Sequence, residues 1–576
     1  MERAVETCEK TILVFTPHWV ESEFSQFEGV ILQTESPLNL NKKILPLMLQ
    51  TCDIPKRLQI LTYANFKDEN EWNSELDRLI KQIKKDFDCL EPEKNKYPSL
   101  DVENIDTTRL PQTGFELFGR QDELKLLNEA WESDRTNVVS FVAYGGVGKS
   151  TLVNKWLEKM RWDNYRGAKK VFAWSFYSQG TNEYVTSADM FINYALNWFG
   201  DEKPEKGSAW DKGKRLARLV CEQKTLLILD GLEPLQSGHD FERGKIKDPA
   251  LTMLITDLAK YNEGLCIITT SERIPELDRY TKKSKQNNLE RISDEAGRKL
   301  LELRGMRGSE NELEQAVNEF GNHALAINLL AEYLHQFPGH PVNKASEIPD
   351  INISVEKGKY PRRIIEALAE QFSESRLEFE LLSVLGLFDR PAEKDAINAI
   401  INDTPIPGLT RQLSKINEND WNNLLDNLRR QKLISKKSEH RPDTLDCHPL
   451  IREHFGEKLK NQNSEAWKEA HTRLYEYCKN LPEKELPDTL EEMEPLFASF
   501  MHGCLAGKHL EAGNDVYWKR IMRGNKQYLR YKLGAFSADL ASLSYFFESP
   551  WKKAASSLPE TEKAAVLSWA FYTVIC

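Results

Sequence analysis

The sequence predicts a multidomain chain, α/β over its first half and α-helical over its second. Three observations carry this. Strand-sized apolar runs alternate with helical patterns up to about residue 280. One stretch, Val138 to Trp156, reads strand, glycine-rich turn, helix. From Leu289 onward apolar residues recur at helical spacing. A chain of 576 residues is too long for one core, and three to five domains is the natural expectation. The net charge of −11 gives no electrostatic reason to expect a nucleic-acid or membrane surface. Nine cysteines are scattered singly without a CxxC pair, which fits a reduced, cytoplasmic setting without structural zinc. The apolar runs are too short to span a membrane, and Glu2, Glu6 and Glu9 stand where a signal peptide would be apolar.

Residues 1–92 form the first predicted domain. Thr11–Phe15, Lys43–Leu49 and Leu58–Tyr63 are strand patterns. Trp72–Ile83 is a helix pattern with Leu76, Leu79, Ile80 and Ile83 on one face. The residues after the first strand, Thr16-Pro-His-Trp-Val-Glu-Ser22 and Phe24-Ser-Gln-Phe-Glu28, resemble the middle of a TIR domain. Cys52-Asp-Ile-Pro55 and Leu61-Thr-Tyr63 extend the likeness. The resemblance implies the C-terminal half of a flavodoxin-like domain. In TIR domains that cleave NAD⁺, a carboxylate shortly after a Ser-x-Trp/Phe segment is catalytic, and Glu28 stands at that position. A carboxylate suits the task because it stabilises an oxocarbenium-like ribose or polarises its hydroxyls. The alternative is a solvated helix glutamate.

Residues 93–115 are polar, punctuated by proline and without periodicity, and read as a linker. The next predicted domain, 116–280, holds Phe141-Val-Ala-Tyr-Gly-Gly-Val-Gly-Lys-Ser-Thr151. The N–H groups of Gly145, Gly146, Val147, Gly148, Lys149, Ser150 and Thr151 can curl round phosphates. Lys149 would reach the β- and γ-phosphates of ATP, and Ser150 would hold Mg²⁺. Ala143 stands where the first glycine of such a loop is usual. Thr225–Asp230 is an apolar strand ending in an acid, a Walker B pattern, and Asp230 would hold the Mg²⁺ water shell. Glu233 would orient the attacking water; its alternative is a surface acid. This order of elements is that of a doubly wound P-loop NTPase, with nucleotide at the C-terminal strand ends.

The segment Phe118-Gly-Arg120 with Glu123 resembles the opening of STAND-class signalling ATPases, which implies that Arg120 lies near the adenine. That class carries a Thr-Thr-Arg sensor of the γ-phosphate. Here the strand ends Thr269-Thr-Ser-Glu-Arg273, with Arg273 displaced by two residues. Gly321-Asn-His-Ala-Leu-Ala326 resembles the Gly-x-Pro-Leu-Ala element of NB-ARC proteins, with Ala324 in place of proline. Residues 281–345 read as a helical domain, and 346–460 as a winged-helix domain with wing strands at Leu433–Ser435 and Thr444–Asp446. The helix around Trp421–Leu428 is not notably basic, so DNA contact is not expected. His448, flanked by Cys447 and Pro449, matches the histidine of the NB-ARC Met-His-Asp motif, which implies contact with the ADP β-phosphate; a buried structural histidine is the alternative.

Residues 461–576 form a helix series with small residues at contacts and aromatic anchors, the start of a TPR-like α-solenoid without a clean 34-residue period. Taken together, the chain resembles bacterial TIR–STAND (NB-ARC-like) proteins. The resemblance implies an ATP/ADP switch, self-association on activation, an unknown trigger on the C-terminal helices, TIR signalling or NAD⁺ cleavage, a slow ATPase and a role in antiviral defence. An ATP-dependent winged-helix transcription regulator and a scaffold with an inactive TIR remnant are the competing readings. The partial TIR pattern and the apolar helix at Ser568–Cys576 lead to the expectation of truncation at both ends.

Overall fold

The computed structural model describes residues 11–15, 44–49, 64–66, 104–111, 117–176, 187–238, 242–354, 358–372, 377–401, 404–437, 441–549 and 551–575. Glu28, the Leu58–Tyr63 strand and the Trp72–Ile83 helix lie outside these residues. The chain divides into two compact units, Met1–Leu100 and Asp101–Cys576.

In the first unit, β1 (Thr11–Phe15), β2 (Ile44–Met48) and β3 (Ala64–Asn65) form a parallel sheet in that order. The first two fall on their predicted runs. The third pairs just past its own.

The second unit is built on a six-stranded sheet. Its strands are β4 (Asn104–Asp106), β5 (Val138–Val142), β6 (Lys170–Ser175), β7 (Thr225–Asp230), β8 (Leu265–Thr270) and β9 (Ser284–Asn288). Their spatial order is β4-β6-β7-β8-β5-β9, and every pairing is parallel. The expected α/β-then-α class holds. Strands β5, β7 and β8 are buried at every residue, which is why they read as continuous apolar runs. Their side chains alternate between faces. Leu227, Leu229, Cys266 and Ile268 pack against α3 (Asp189–Phe199), α4 (Ala209–Cys221) and α5 (Pro249–Lys260). Leu226, Ile228, Leu265 and Ile267 share the other face with α1 (Gln121–Glu132) and α2 (Lys149–Trp162).

Two expectations are corrected here. The predicted linker 93–115 contains β4, which extends the sheet beside β6; three residues at a sheet edge are too few to show alternation. The sheet also runs past residue 280 into β9, whose sequence Ser-Lys-Gln-Asn-Asn is polar because it is an edge. The acid-ending strand β7 is not the neighbour of the P-loop strand β5: β8 lies between them.

Helices α6 (Asp294–Leu303), α7 (Glu310–Glu319) and α8 (Ala324–Leu334) follow. Then come α9 (Lys359–Gln371), α10 (Leu377–Leu385), α11 (Lys394–Ile401), α12 (Glu418–Arg430) and α13 (Pro449–Gln462). The predicted wing pairing is also corrected. Strand β11 (Thr444–Leu445) pairs antiparallel with β10 (Ala392–Glu393), while Leu433–Ser435 reaches this segment through the bond from Ser435 N–H to the Asp446 carbonyl (2.7 Å). One apolar cluster runs from Ile292 to Leu474, so these helices and the next, α14 (Ser464–Lys479), share a core. Helix α15 (Leu490–Leu505) and the segments to Ala570 form a further cluster. Within it Arg530 and Asp539 are 1% and 0% exposed and form an ion pair that Tyr517 also joins.

Removing one partner of a buried ion pair leaves a charge without compensation, a cost of about 3–5 kcal/mol. Asp539→Ala should therefore lower the denaturation midpoint of the C-terminal helices, followed by the tryptophan fluorescence of the full chain. An unchanged midpoint would show that the pair contributes nothing.

Candidate functional site

The P-loop joins β5 to α2 at the C-terminal edge of the sheet. Its turn needs left-handed backbone at Gly146 (φ +80°) and Gly148 (φ +106°), which glycine adopts without a side-chain clash. Gly148 caps α2, so the helix N-terminus begins at Lys149. Unpaired N–H groups and the helix dipole make such an end attractive to anions.

The Lys149 side chain is 3% exposed. Its ammonium donates to the carbonyls of Ala143 (2.6 Å) and Tyr144 (3.4 Å) and lies 3.2 Å from Glu233 Oε1. Ser150 Oγ donates to Asp230 Oδ1 (2.8 Å), which also accepts from Thr269 Oγ1 (2.7 Å). Ser175 Oγ donates to Asp230 Oδ2 (3.2 Å). Burial pushes the Asp230 carboxyl up, while the bonds from Thr269 and Ser150 oppose the shift. The position of β8 between β5 and β7 is what brings Thr269 to this carboxylate; Thr269 in turn accepts from Gly231 N–H (2.8 Å).

Arg120 is 4% exposed. Its guanidinium donates to Glu123 Oε1 (3.1 Å), the Val147 carbonyl (3.3 Å) and the Glu290 carbonyl (2.6 Å), tying the P-loop to the end of the sheet. Burial lowers its pKa. Arg273 is placed elsewhere. It pairs with Asp278 (3.0 Å), its side chain is 57% exposed, and it is not among the residues that line the cavity. Ser271 and Glu272 line the cavity instead, with Arg243 at 2.8 Å from Glu272.

A cavity of about 480 Å³ opens over the P-loop, within the size of small-molecule sites, roughly 300–1,000 Å³. Gly145, Gly146, Val147, Gly148, Lys149, Ser150, Thr151, Arg120 and His448 all line it. So do Leu325 of α8 and Arg429, Lys432 and Lys436 at and beyond the end of α12. His448 caps α13 by accepting Leu450 N–H at Nδ1 (3.2 Å). Burial pushes its pKa down to about 3, helped by the nearby His323, Lys149 and Arg452.

Four contributors were not singled out from sequence. His323 bonds the Gly145 carbonyl through Nε2 (2.9 Å). Thr269 holds Asp230, as above. Thr108–Pro111, from the predicted linker, line the cavity, and the Arg109 guanidinium lies over the rings of Trp174 (4.2 Å) and Tyr194 (4.6 Å). Ser175 ends β6 beside Asp230. The histidine immediately before α8 was the one readable signal among them, since a histidine there can serve as a helix cap.

Two family models match. Residues 1–80 match the TIR domain and residues 120–235 the NB-ARC domain. No curated protein matches the chain. A signal transduction ATPase with numerous domains and a tetratricopeptide repeat sensor, from Pyrococcus horikoshii, is similar at 17% identity and TM-score 0.46. The likeness covers 81% of this chain, which spans only 63% of that protein. A Walker-type ATPase of Pyrococcus abyssi is 14% identical over 60% of this chain and 98% of its own, at TM-score 0.31. The ORC1 protein of Aeropyrum pernix, solved in complex with DNA, is 15% identical over 60% and 94%, at TM-score 0.29. The parallel sheet with its P-loop defines a nucleotide-binding P-loop NTPase. A TIR domain match ahead of an NB-ARC domain match is an arrangement that resembles TIR–STAND P-loop NTPases.

The histidines set an acid limit. His323 and His448 have pKa values near 4 and 3 in the folded chain, against about 6.5 when unfolded. The unfolded chain therefore binds more protons below pH 6.5, and their contribution to stability is lost as pH falls through that window toward 4. Buried carboxylates such as Asp230 act with the opposite sign, so the comparison needs a variant. His448→Gln should recover on the order of 2 kcal/mol relative to native between pH 7.5 and pH 5, measured by denaturant unfolding. Parallel pH profiles would contradict this.

Proposed function

We propose that the chain is a switch that binds ATP or ADP at the P-loop. The observation that carries this reading is the cavity itself. The P-loop forms one wall, α8 another, and the His448 region together with Arg429, Lys432 and Lys436 a third. A nucleotide in that space touches all three, so exchange of ADP for ATP changes which arrangement of the walls is favoured. It does so only to the extent of its differential contacts with the two arrangements. In this reading the P-loop N–H groups and Lys149 hold the phosphates, Arg120 braces the adenine end, and His448 faces the β-phosphate of ADP. Arg273 reads the γ-phosphate only if its segment moves from its contact with Asp278.

The donors around Asp230 suit Mg²⁺, because Ser150 Oγ and the carboxylate are hard oxygen ligands 2.8 Å apart in a buried site. Ser150 and Asp230 would hold the ion, which neutralises phosphate charge. Glu233 then orients the attacking water in slow hydrolysis, once phosphate has drawn Lys149 away from it.

The same reading assigns the helical region to the residues after β9 up to 345, the winged helix to 346–460 and the TPR-like helices to 461–576. A trigger on the TPR-like helices releases the closed state, and ATP favours a homo-oligomer that gathers TIR domains for cytoplasmic signalling or NAD⁺ cleavage in antiviral defence. Among the described residues no helix is long and apolar enough to cross a membrane. The cations at the end of α12 line the nucleotide cavity, which favours a phosphate-facing role for them over contact with DNA.

Two experiments test this. Purified wild-type chain should retain ADP or ATP, and Lys149→Ala should lose it, read by extraction and chromatography. A nucleotide-free wild type that does not bind ATP overturns the reading. For the TIR unit, NAD⁺ loss with ATP·Mg²⁺ should disappear in Glu28→Gln; equal loss in both proteins would remove Glu28 from catalysis.

A further inference from the structure

We infer that His323 is a positioning residue of the nucleotide site, one that sets the direction of the P-loop N–H groups from outside the loop. The inference rests on the nucleotide-binding reading and goes beyond it.

His323 precedes α8 and is 5% exposed. Its ring makes two contacts. Nε2 lies 2.9 Å from the Gly145 carbonyl oxygen, and Nδ1 lies 3.3 Å from Ala326 N–H. A carbonyl only accepts and a backbone N–H only donates. One ring state alone satisfies both: neutral, with the proton on Nε2 and the lone pair on Nδ1. The ring thus caps α8 with one nitrogen and grips the P-loop with the other. A second bond runs in parallel, from Leu325 N–H to the Gly146 carbonyl (3.1 Å).

The consequence follows from peptide geometry. In a trans peptide the carbonyl and the next N–H point in opposite directions. Holding the Gly145 and Gly146 carbonyls toward α8 turns the N–H groups of Gly146 and Val147 the other way. The approach is close enough that no side chain fits at Gly146, since a Cβ there would meet His323 Cε1 at 2.7 Å and Leu325 Cδ2 at 3.0 Å. The loop is therefore held by α8 in one orientation of its donors, and phosphate pays no backbone reorganisation to meet them. Movement of α8 away from the sheet would release both carbonyls and loosen the loop, so nucleotide affinity and the position of α8 are coupled through His323.

The two nitrogens can be tested separately. His323→Asn keeps an acceptor where Nδ1 caps the helix but does not reach Gly145. His323→Gln carries a donor toward the Gly145 carbonyl and gives up the cap. Dissociation of a fluorescent ADP analogue from the full chain is the readout, with thermal midpoints alongside. If His323 positions the P-loop, Asn should release ADP about 3- to 10-fold faster than wild type, the worth of one hydrogen bond, at a near-native midpoint. Gln should stay within about twofold of wild type in release while its midpoint falls. Native release from Asn, or faster release from Gln alone, would reduce His323 to a helix cap and overturn the inference. Wild-type chain that binds no ADP would sink the nucleotide reading itself, an outcome distinct from either.

Discussion

The site depends on one carboxylate, Asp230, held out of water at 1% exposure. An ionised group in that position is tolerated only if its oxygens are bonded. Its three bonds come from Ser150 on α2, Ser175 at the end of β6 and Thr269 on β8. Three separate pieces of chain therefore converge on an acid carried by a fourth, and the P-loop helix is fixed to the sheet at the point where the glycine turn ends. The charge of Lys149 is handled similarly, by Ala143, Tyr144 and Glu233. A phosphate bound there would exchange partners for Lys149, so its net contribution would be smaller than the bare ion pair implies.

Much of this was legible in the sequence. Buried parallel strands cannot hide, because both faces are apolar and Val138–Val142 and Thr225–Asp230 stand out as runs. The glycine spacing places the phosphate turn, and an acid at a strand end places its partner. What escaped was polar or distant. β4 and β9 lie at sheet edges, where polar residues such as Asn104 and Asn287 carry no period. Ala392–Glu393 is two residues of strand whose partner is some fifty residues on, and a two-residue pairing leaves no pattern. The contact between His323 and Gly145 spans 178 residues. Local patterns give a helix start there; only the packing of α8 on the P-loop gives the ring its second partner. Arg273 illustrates the converse. The motif it approximates asks for an arginine at the strand end, and the two-residue displacement leaves its guanidinium beside Asp278.

The shared core from Ile292 to Leu474 carries a mechanical consequence. Helices packed into one close-packed cluster have no soft plane between them, so α6 through α14 resist bending relative to one another. The body is tied back to the sheet unit in more than one place. Near its start, His323 and Leu325 bond the P-loop. Beyond α15, Lys212 of α4 donates to the Leu533 carbonyl (2.8 Å), and Ala538 N–H donates to Asp189 of α3 (2.8 Å). A stiff member held at separated points passes a displacement at one tie on to the other instead of absorbing it.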